Sequence, residues 1–168
     1  MPASDFLAIL RTLNEYGVEF IVVGGVGAVL QGAPISTFDL DVVHSRSIEN
    51  AGRLLAALRA LDAYYRIQPE RRLRPSASHL VSAGHQLLMT CYGPLDLLGM
   101  IGHSHGYESL AVDAIQVEAG AGVHIQVLGL ERLIAVKTET AGEKDLAALP
   151  ILRKTLEEQK KRRSKPLL

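Results

Sequence analysis

The chain has 168 residues, 48% of them hydrophobic, which is enough for one well-buried core and short for two, so we predict a single domain over residues 1–168. Its 18 basic and 18 acidic residues balance, which excludes an overall charge that attracts nucleic acid or an anionic membrane; such a partner would need a local patch. One cysteine, Cys91, excludes an internal disulfide and a thiolate metal cage.

The sequence also carries no signal for a membrane. Its first residues, MPASDFLAIL, lack a basic segment ahead of a long apolar core, and no stretch reaches the ~18 uninterrupted apolar residues of a membrane span. Together with the single cysteine, this pattern predicts a soluble, cytoplasmic protein without a membrane partner. Cys91 itself is predicted to be buried by packing.

The first sixty residues alternate between helical and extended patterns. Apolar residues recur at helical spacing behind Ser4 and again behind Ser47, and serine is a typical helix cap. Runs of β-branched residues that stop at glycines or turns predict strands. The predicted elements are a helix over 4–17, a strand over 18–23, a short helix over 26–31, a strand over 38–43 and a helix over 47–61.

The rest of the chain predicts two hairpins and further helices. Residues 64–79 hold prolines and clustered basic side chains, which favour a loop. The predicted elements are hairpins over 86–98 and 115–128, a weak helix from Tyr107, a helix from Leu130, and a last helix from Glu143 into a basic C-terminal tail at about 160–168. This order of elements predicts an α/β fold with a short mixed sheet backed by helices.

The segment FDLDVV, residues 38–43, places two carboxylates two residues apart. Asp39 and Asp41 should share one face of a strand while Leu40 and Val42 point into the core. Two like charges are tolerated there if solvent reaches them or a divalent cation lies between them, and hard oxygen ligands favour magnesium. Asp96, flanked by leucines on another predicted strand, is costly to bury without a partner. Each aspartate alone could be a turn, strand or edge residue; together they predict a three-carboxylate cluster.

A glycine pair precedes the carboxylates. Gly24 and Gly25 follow a buried strand and open a short helix, where the backbone can approach a phosphate. The dinucleotide-binding motif starts in the same way, but GGVGAVL has no third glycine at the required spacing, and a P-loop lysine is absent. Glycines for phosphates and aspartates for a metal together favour a magnesium nucleoside triphosphate as the ligand.

These features, in this order, resemble the nucleotidyltransferases of the polymerase-beta superfamily, in particular the minimal nucleotidyltransferases, some of which are toxins or antitoxins. GAPISTFDLD resembles the family's stretch between helix and metal strand, YGPLDLLG resembles its third-carboxylate strand, and LERLIAVKTETAGEKDLAAL resembles its C-terminal Lys and Lys-Asp element. The resemblance covers about residues 18–150 and implies a nucleotidyltransferase-like fold.

The resemblance also implies the chemistry and the roles of the residues. It implies a metal-dependent nucleotidyltransferase that moves a nucleoside monophosphate from a nucleoside triphosphate to a protein or RNA acceptor, with two magnesium ions as cofactors. A toxin–antitoxin partner or a homodimer is a further implication. The catalytic and metal-binding residues would be Asp39, Asp41 and Asp96, the nucleotide-binding residues Gly24, Gly25, Thr37 and Lys137, and the bracing pair Lys144 and Asp145.

Two positions depart from the family pattern, because Ile35 and Gly142 stand where many relatives carry arginine. The triphosphate charge is then less well balanced. The chain therefore binds a different nucleotide, borrows basic groups from the loop over 71–74, or lacks catalysis. The alternatives to an enzyme are a non-catalytic relative that binds a nucleotide or a partner, such as one half of a toxin–antitoxin pair, and a Rossmann-type cofactor binder.

The remaining polar groups favour simpler interpretations. His103 and His105 suggest zinc, but no cysteine or further histidine pair lies at ligand spacing, so an exposed loop is predicted. Arg71, Arg72 and Arg74 could reach a triphosphate or nucleic acid, although a charged run in a loop with prolines is more often a solvated surface. The terminal KKRRSK is more often frayed than bound to RNA.

Overall fold

A seven-stranded mixed β-sheet organises the residues that the computed structural model describes, 3–165. The strands are β1 Phe20–Val23, β2 Leu40–His44, β3 Tyr64–Tyr65, β4 His85–Thr90, β5 Gly93–Leu98, β6 Ala114–Gly120 and β7 Val123–Leu128. The helices are α1 Phe6–Glu15, α2 Gly24–Leu30, α3 Ile48–Ala60, α4 Ala77–Val81, α5 Tyr107–Ala111, α6 Leu130–Glu139 and α7 Glu143–Ser164. The predicted α/β class and the mixed sheet are confirmed.

The sheet runs in the order β3-β4-β5-β2-β1-β7-β6. Its centre combines antiparallel pairing of β1 with β2 and parallel pairing of β2 with β5 and of β1 with β7. The β4–β5 and β6–β7 hairpins extend it on either side, as the sequence predicted, and β3 adds a short edge to β4. This topology puts the middle of β2 between β1 and β5.

The strands bury both faces of the sheet, because successive side chains point in opposite directions. Leu40 and Val42 of β2 pack into a cluster with α1 and α3, as predicted. Val43 of the same strand joins a second cluster, in which Leu133 of α6 and Leu152 of α7 cover the opposite face. The functional side chains described below lie on this second face, beside α6 and α7.

Several predicted boundaries are wrong. Asp5, not Ser4, caps α1, because its carboxylate accepts a hydrogen bond from the N–H of Ala8. The first strand begins at Phe20, and α2 begins at Gly24 instead of residue 26. The second strand covers 40–44 and not 38–43, so Asp39 lies just before it.

The segment over 64–79, predicted as mostly loop, holds three short elements. Tyr64 and Tyr65 form β3 by pairing with Met89 and Leu88 of β4. A 3₁₀ turn over Pro69–Arg71 and α4 follow. Prolines and basic residues dominate the local pattern here, so the segment owes its order to long-range pairing with β4.

The prediction that Cys91 is buried is also wrong. Cys91 is exposed in the turn between β4 and β5, where its N–H bonds the carbonyl of Leu61 at 2.9 Å. Its position follows from the tight hairpin, since β5 already begins at Gly93.

The last helix begins at Glu143, as predicted, and continues through most of the basic segment that was predicted as a tail. Residues 160–163 of the predicted basic tail lie within α7, which continues to Ser164. Residues 166–168 of that tail lie outside the described residues. In the part of the chain that the structure describes, no helix combines the length and the hydropathy needed to span a membrane.

Candidate functional site

A row of side chains across four strands forms the centre of the site. Asp41 of β2 lies opposite Val23 of β1 on one side and opposite Asp96 of β5 on the other. Asp96 in turn lies opposite Leu87 of β4. Since paired residues on neighbouring strands project from the same face, the register alone brings Asp41 and Asp96 side by side.

Asp39 completes a carboxylate cluster with Asp41 and Asp96. One carboxylate oxygen from each lies within 4.8 Å of the other two, and among residues 3–165 this is the only group of three or more potential metal ligands that approaches so closely. The side chain of Asp96 is 10% exposed and that of Asp39 43% exposed, so the cluster extends from the sheet to solvent. Three hard oxygen ligands that converge in this way suit a divalent cation such as magnesium.

The electrostatics of the cluster centre on Asp41. Burial raises the pKa of Asp41 from its ordinary value of 3.8 to about 7, and the negative charges of Asp39 and Asp96 add to the rise. Lys137 acts in the opposite direction and lowers it. A further positive charge nearby would therefore stabilise the negative form of Asp41, which is both desolvated and repelled.

Arg66 joins the cluster from the edge of the sheet, and sequence reasoning missed it. Its Nη1 donates to Asp96 Oδ1, its Nη2 donates to Asp96 Oδ2 at 3.2 Å, and Nη2 lies 3.9 Å from Asp39 Oδ2. The N–H of Arg66 bonds the carbonyl of Leu87, which places it one strand beyond Asp96 in the same row. No local signal marks this arginine, because its position depends on a strand of two residues.

The glycine pair fits closely against the cluster. Gly24 has φ +63°, and a Cβ there would overlap the Asp41 carboxylate. A Cβ on Gly25 would lie 2.7 Å from the methyl group of Thr37. Glycine is therefore required at position 24 by backbone conformation and by the space that Asp41 occupies.

Lys137 and Asp145 form the opposite wall. Lys137 Nζ donates to Asp145 Oδ1 at 3.2 Å, and Asp145 Oδ2 accepts the N–H of Gly142 at 3.4 Å. Asp145 thereby holds Lys137 beside the cluster and also caps the start of α7. Leu130, Leu133 and Val136 are the buried residues of α6, and Ile134 is half-buried.

A cleft of about 480 Å³ contains these groups. Its volume lies within the ~300–1,000 Å³ that small-molecule sites usually have. The charged side chains around the carboxylates form what we call its polar end, and Phe38, which is 78% exposed, with Ala147, Ala148 and Ile151 of α7 forms its apolar end. The lining residues are Gly24, Gly25, Ile35, Ser36, Thr37, Phe38, Asp39, Asp41, Asp96, Lys137, Lys144, Asp145, Ala147, Ala148 and Ile151.

The arginines of the 71–74 loop point elsewhere. Arg71 donates to the side chain of Gln68, and the guanidinium of Arg72 stacks 4.1 Å from the ring centre of Tyr64. Arg74 pairs with Asp62 at 2.5 Å. Within the described residues, none of these three arginines lines the cleft. The basic side chain that this segment places beside the carboxylates is that of Arg66.

The two histidines considered for zinc belong to an ion-pair network between the loop before α5 and helix α6. His103 is exposed, and its N–H donates to Glu139 at 2.9 Å. His105 is half-buried, unlike the predicted exposed loop: its Nε2 lies 2.9 Å from Glu139 and its Nδ1 lies 3.3 Å from Arg132. Arg132 in turn pairs with Asp113 at 2.7 Å. Each charged group here has a partner.

No protein-family model and no curated protein matches the chain. Solved structures do match. A candidate nucleotidyltransferase, TM1012 from Thermotoga maritima, superposes with a TM-score of 0.58 at 20% identity over 91% of each chain. The antibiotic-resistance factor ANT(2'')-Ia superposes with a TM-score of 0.58 at 16% identity over 90% of this chain and 82% of that one.

Proposed function

With the fold of the nucleotidyltransferases as the premise, we propose that this chain transfers a nucleoside monophosphate from a magnesium-bound nucleoside triphosphate to an acceptor hydroxyl on a protein or an RNA. The observation that carries the proposal is the convergence of Asp39, Asp41 and Asp96 in one cleft beside Gly24 and Gly25. We propose that residues 1–168 form one domain and that the reaction needs no membrane.

The proposed metal site is the carboxylate cluster. Asp39, Asp41 and Asp96 would hold two magnesium ions, which supply charge neutralisation for the attacking and leaving oxygens when bound. The chemistry of the residues fits this role, because the charged form of Asp41 is disfavoured and lacks a hydrogen-bonded cation among the described side chains. Lys137, held by Asp145, adds a fixed positive charge on the other side of the cleft.

The proposed reaction is an in-line displacement. The acceptor oxygen bonds to the α-phosphorus, the bond from that phosphorus to the bridging oxygen of the β-phosphate breaks, and pyrophosphate leaves with the electron pair. The proton of the acceptor hydroxyl passes to a base, a role that the family resemblance gives to Asp96. The protein itself contributes positioning and charge balance.

The two ends of the cleft support a nucleotide as the ligand. The polar end has the glycine pair and Thr37 beside the carboxylates, which suits phosphate groups. The apolar end is lined by Phe38, Ala147, Ala148 and Ile151, and any of the nucleobases can stack on an aromatic ring. A triphosphate at one end and a base at the other would fill the cleft along its length.

A second candidate function is non-catalytic binding of a nucleotide or of a protein partner. Ile35 lines the cleft with an aliphatic side chain where relatives often carry arginine, and Gly142 adds no charge at the start of α7. Arg66 also pairs with the carboxylate proposed to activate the acceptor. This alternative includes a role in a toxin–antitoxin pair or a homodimer.

The test is label transfer from each α-labelled nucleoside triphosphate with magnesium, using cell RNA and protein as acceptors and mass spectrometry to identify the product. Asp39→Asn is the matched variant, since it removes one of the repelling charges together with a metal ligand. We expect the variant to keep the parent's melting temperature when no metal is present, and to lose transfer when magnesium and the triphosphate are added. Transfer by neither protein, with stabilisation of the parent by magnesium and a triphosphate, would favour the non-catalytic alternative.

A further inference from the structure

We propose that Arg66 is an internal competitor for the metal: its guanidinium occupies the carboxylate oxygens that a divalent cation would bind, so a cation binds only by displacing it. The inference rests on the proposed metal-binding role of the cluster. It adds a regulatory contact for that site, supplied by a residue outside the glycine and D-x-D motifs.

The contacts of Arg66 take up both oxygens of one ligand. Nη1 donates to Oδ1 of Asp96 and Nη2 donates to Oδ2 at 3.2 Å, which is the two-pronged geometry that makes arginine–carboxylate pairs strong. Nη2 also lies 3.9 Å from Asp39. The guanidinium therefore bridges two of the three proposed ligands.

The arginine is held in this position by backbone contacts as well. Its N–H bonds the carbonyl of Leu87, and Nη1 donates to the carbonyl of Leu88 at 3.2 Å. Both carbonyls belong to β4, the strand next to Asp96. Arg66 is thus placed by the sheet and is not a surface side chain that reaches the cluster by chance.

Charge balance explains why the contact exists. Asp96 is a nearly buried carboxylate, and burying such a group without a partner is unfavourable. Arg66 supplies that partner in the chain without metal. A divalent cation would meet the same oxygens at about 2.0–2.6 Å, a distance that leaves no room for a guanidinium on the same side, and the two positive charges would repel each other.

Arg66 should therefore raise the stability of the metal-free chain and lower its affinity for a divalent cation. Removing the guanidinium frees the oxygens and makes the cluster more negative, which favours a cation. The same change removes the counter-ion that Asp96 and Asp39 share, which lowers the stability of the metal-free chain. A residue that merely orients Asp96 as a metal ligand would give the opposite sign for affinity.

The experiment is a calorimetric titration of the full chain with Mn²⁺ alone, without nucleotide, for the parent, Arg66→Gln and Arg71→Gln. The Arg71 variant is the matched control, because it makes the same charge change in the same segment, and the side chain of Arg71 donates to Gln68 instead of to the cluster. We expect Arg66→Gln to tighten the dissociation constant by about tenfold or more and Arg71→Gln to change it by less than about twofold.

Melting temperatures supply the second readout. Arg66→Gln should melt below the parent without metal and gain more than the parent from saturating Mn²⁺. If Arg66→Gln does not fold, Arg66→Lys keeps the charge and loses the paired geometry, and its affinity for Mn²⁺ should still exceed that of the parent.

Equal or weaker Mn²⁺ binding by both Arg66 variants overturns the inference. If the parent in that case binds Mn²⁺ and transfers label, the proposed function stands and Arg66 is a positioning residue for Asp96. If no variant binds Mn²⁺ and no label is transferred, the metal site and the competition at it are both rejected.

Discussion

Two acidic regions of this molecule differ in how their charge is balanced. The carboxylate cluster of Asp39, Asp41 and Asp96 has one hydrogen-bonded arginine for three acids. The ion-pair network around Glu139 and Asp113 has a basic partner for each acid.

The pKa values reflect this difference. Burial and repulsion raise the pKa of Asp41 to about 7, whereas the bond from the His103 N–H and the contact with His105 lower the pKa of Glu139. We expect acids that have a basic partner to stabilise the fold, and acids left in mutual repulsion to bind a cation.

Substitution in the cluster should remove transfer, and the matched change in the network should not. Asp41→Asn deletes a proposed metal ligand, so we expect label transfer to fall by orders of magnitude, in line with the several kcal/mol that such a cation contributes. Glu139→Gln makes the same chemical change outside the cleft and should leave transfer within about threefold of the parent. Side-by-side label-transfer assays measure both; equal losses would remove the distinction between the two regions.

The pH dependence of stability should come from the cluster. The pKa of Asp41 is higher in the folded chain than its ordinary 3.8, so the folded state binds more protons and stability falls as pH rises from about 4 to about 7. The shift of about three units corresponds to an upper bound of about 4 kcal/mol.

Urea unfolding at pH 5 and pH 8 measures this loss. Asp41→Asn should flatten the profile, and saturating magnesium should stabilise the parent most at the higher pH, where the carboxylate is charged. A parent that is equally stable at pH 5 and pH 8, or more stable at pH 8, would contradict a raised pKa for Asp41.

Gly24→Ala tests the fit of the turn against the cluster. Residues 24 and 32 both have positive φ, but a Cβ at Gly24 would overlap the Asp41 carboxylate, whereas at Gly32 nothing lies within 4 Å. Both alanine variants should lose about 1 kcal/mol of stability from backbone strain, and Gly24→Ala should lose about 1–3 kcal/mol more and should also weaken Mn²⁺ binding. Urea unfolding measures the loss of stability, and Mn²⁺ titration measures the effect on metal binding. Equal results for Gly24→Ala and Gly32→Ala would show that the Asp41 carboxylate has room to move.

Phe38→Ala tests the apolar end of the cleft. Loss of base stacking should weaken binding of a magnesium nucleoside triphosphate by about tenfold and leave binding of magnesium tripolyphosphate, which has no base, unchanged. Val112→Ala is the control, because Val112 is 80% exposed but lies outside the cleft. Equal loss with both ligands would place the phosphates, and not the base, near Phe38.

The smallest effect is expected on the stability of the balanced region. Glu139→Gln weakens two contacts with histidines at the surface, so the melting temperature should fall slightly. Asp41→Asn should hold or raise the melting temperature without metal, because it removes a repelled charge. Thermal unfolding in the same buffer measures both changes, and the same sign for both would show that the two regions balance their charge in the same way.

Local patterns in the sequence predict most of the fold. The hairpins over 86–98 and 115–128 follow from β-type runs broken by glycine turns, and the inward direction of Leu40 and Val42 follows from strand alternation. The D-x-D motif also points to the cluster, although Asp39 precedes the strand. Strand β2 begins only at Leu40, where pairing with Leu95 of β5 starts.

The surroundings of the cluster could not be predicted in the same way. Arg66 reaches Asp96 through a two-residue strand, and such pairing has no signature in a segment rich in prolines and arginines. The exposure of Phe38 and of Cys91 depends on how the neighbouring turns pack. Sequence patterns thus identify the three aspartates, while the tertiary fold determines which basic side chain lies beside them.

A crystal structure with Mn²⁺ and a non-hydrolysable nucleoside triphosphate, with the metal located by anomalous scattering, tests directly whether the carboxylates bind metal. We predict two peaks about 3.5–4 Å apart, bounded by Asp39, Asp41 and Asp96, with Arg66 displaced from Asp96. Density for the nucleotide without a metal peak at these carboxylates, or metal bound elsewhere, would contradict it.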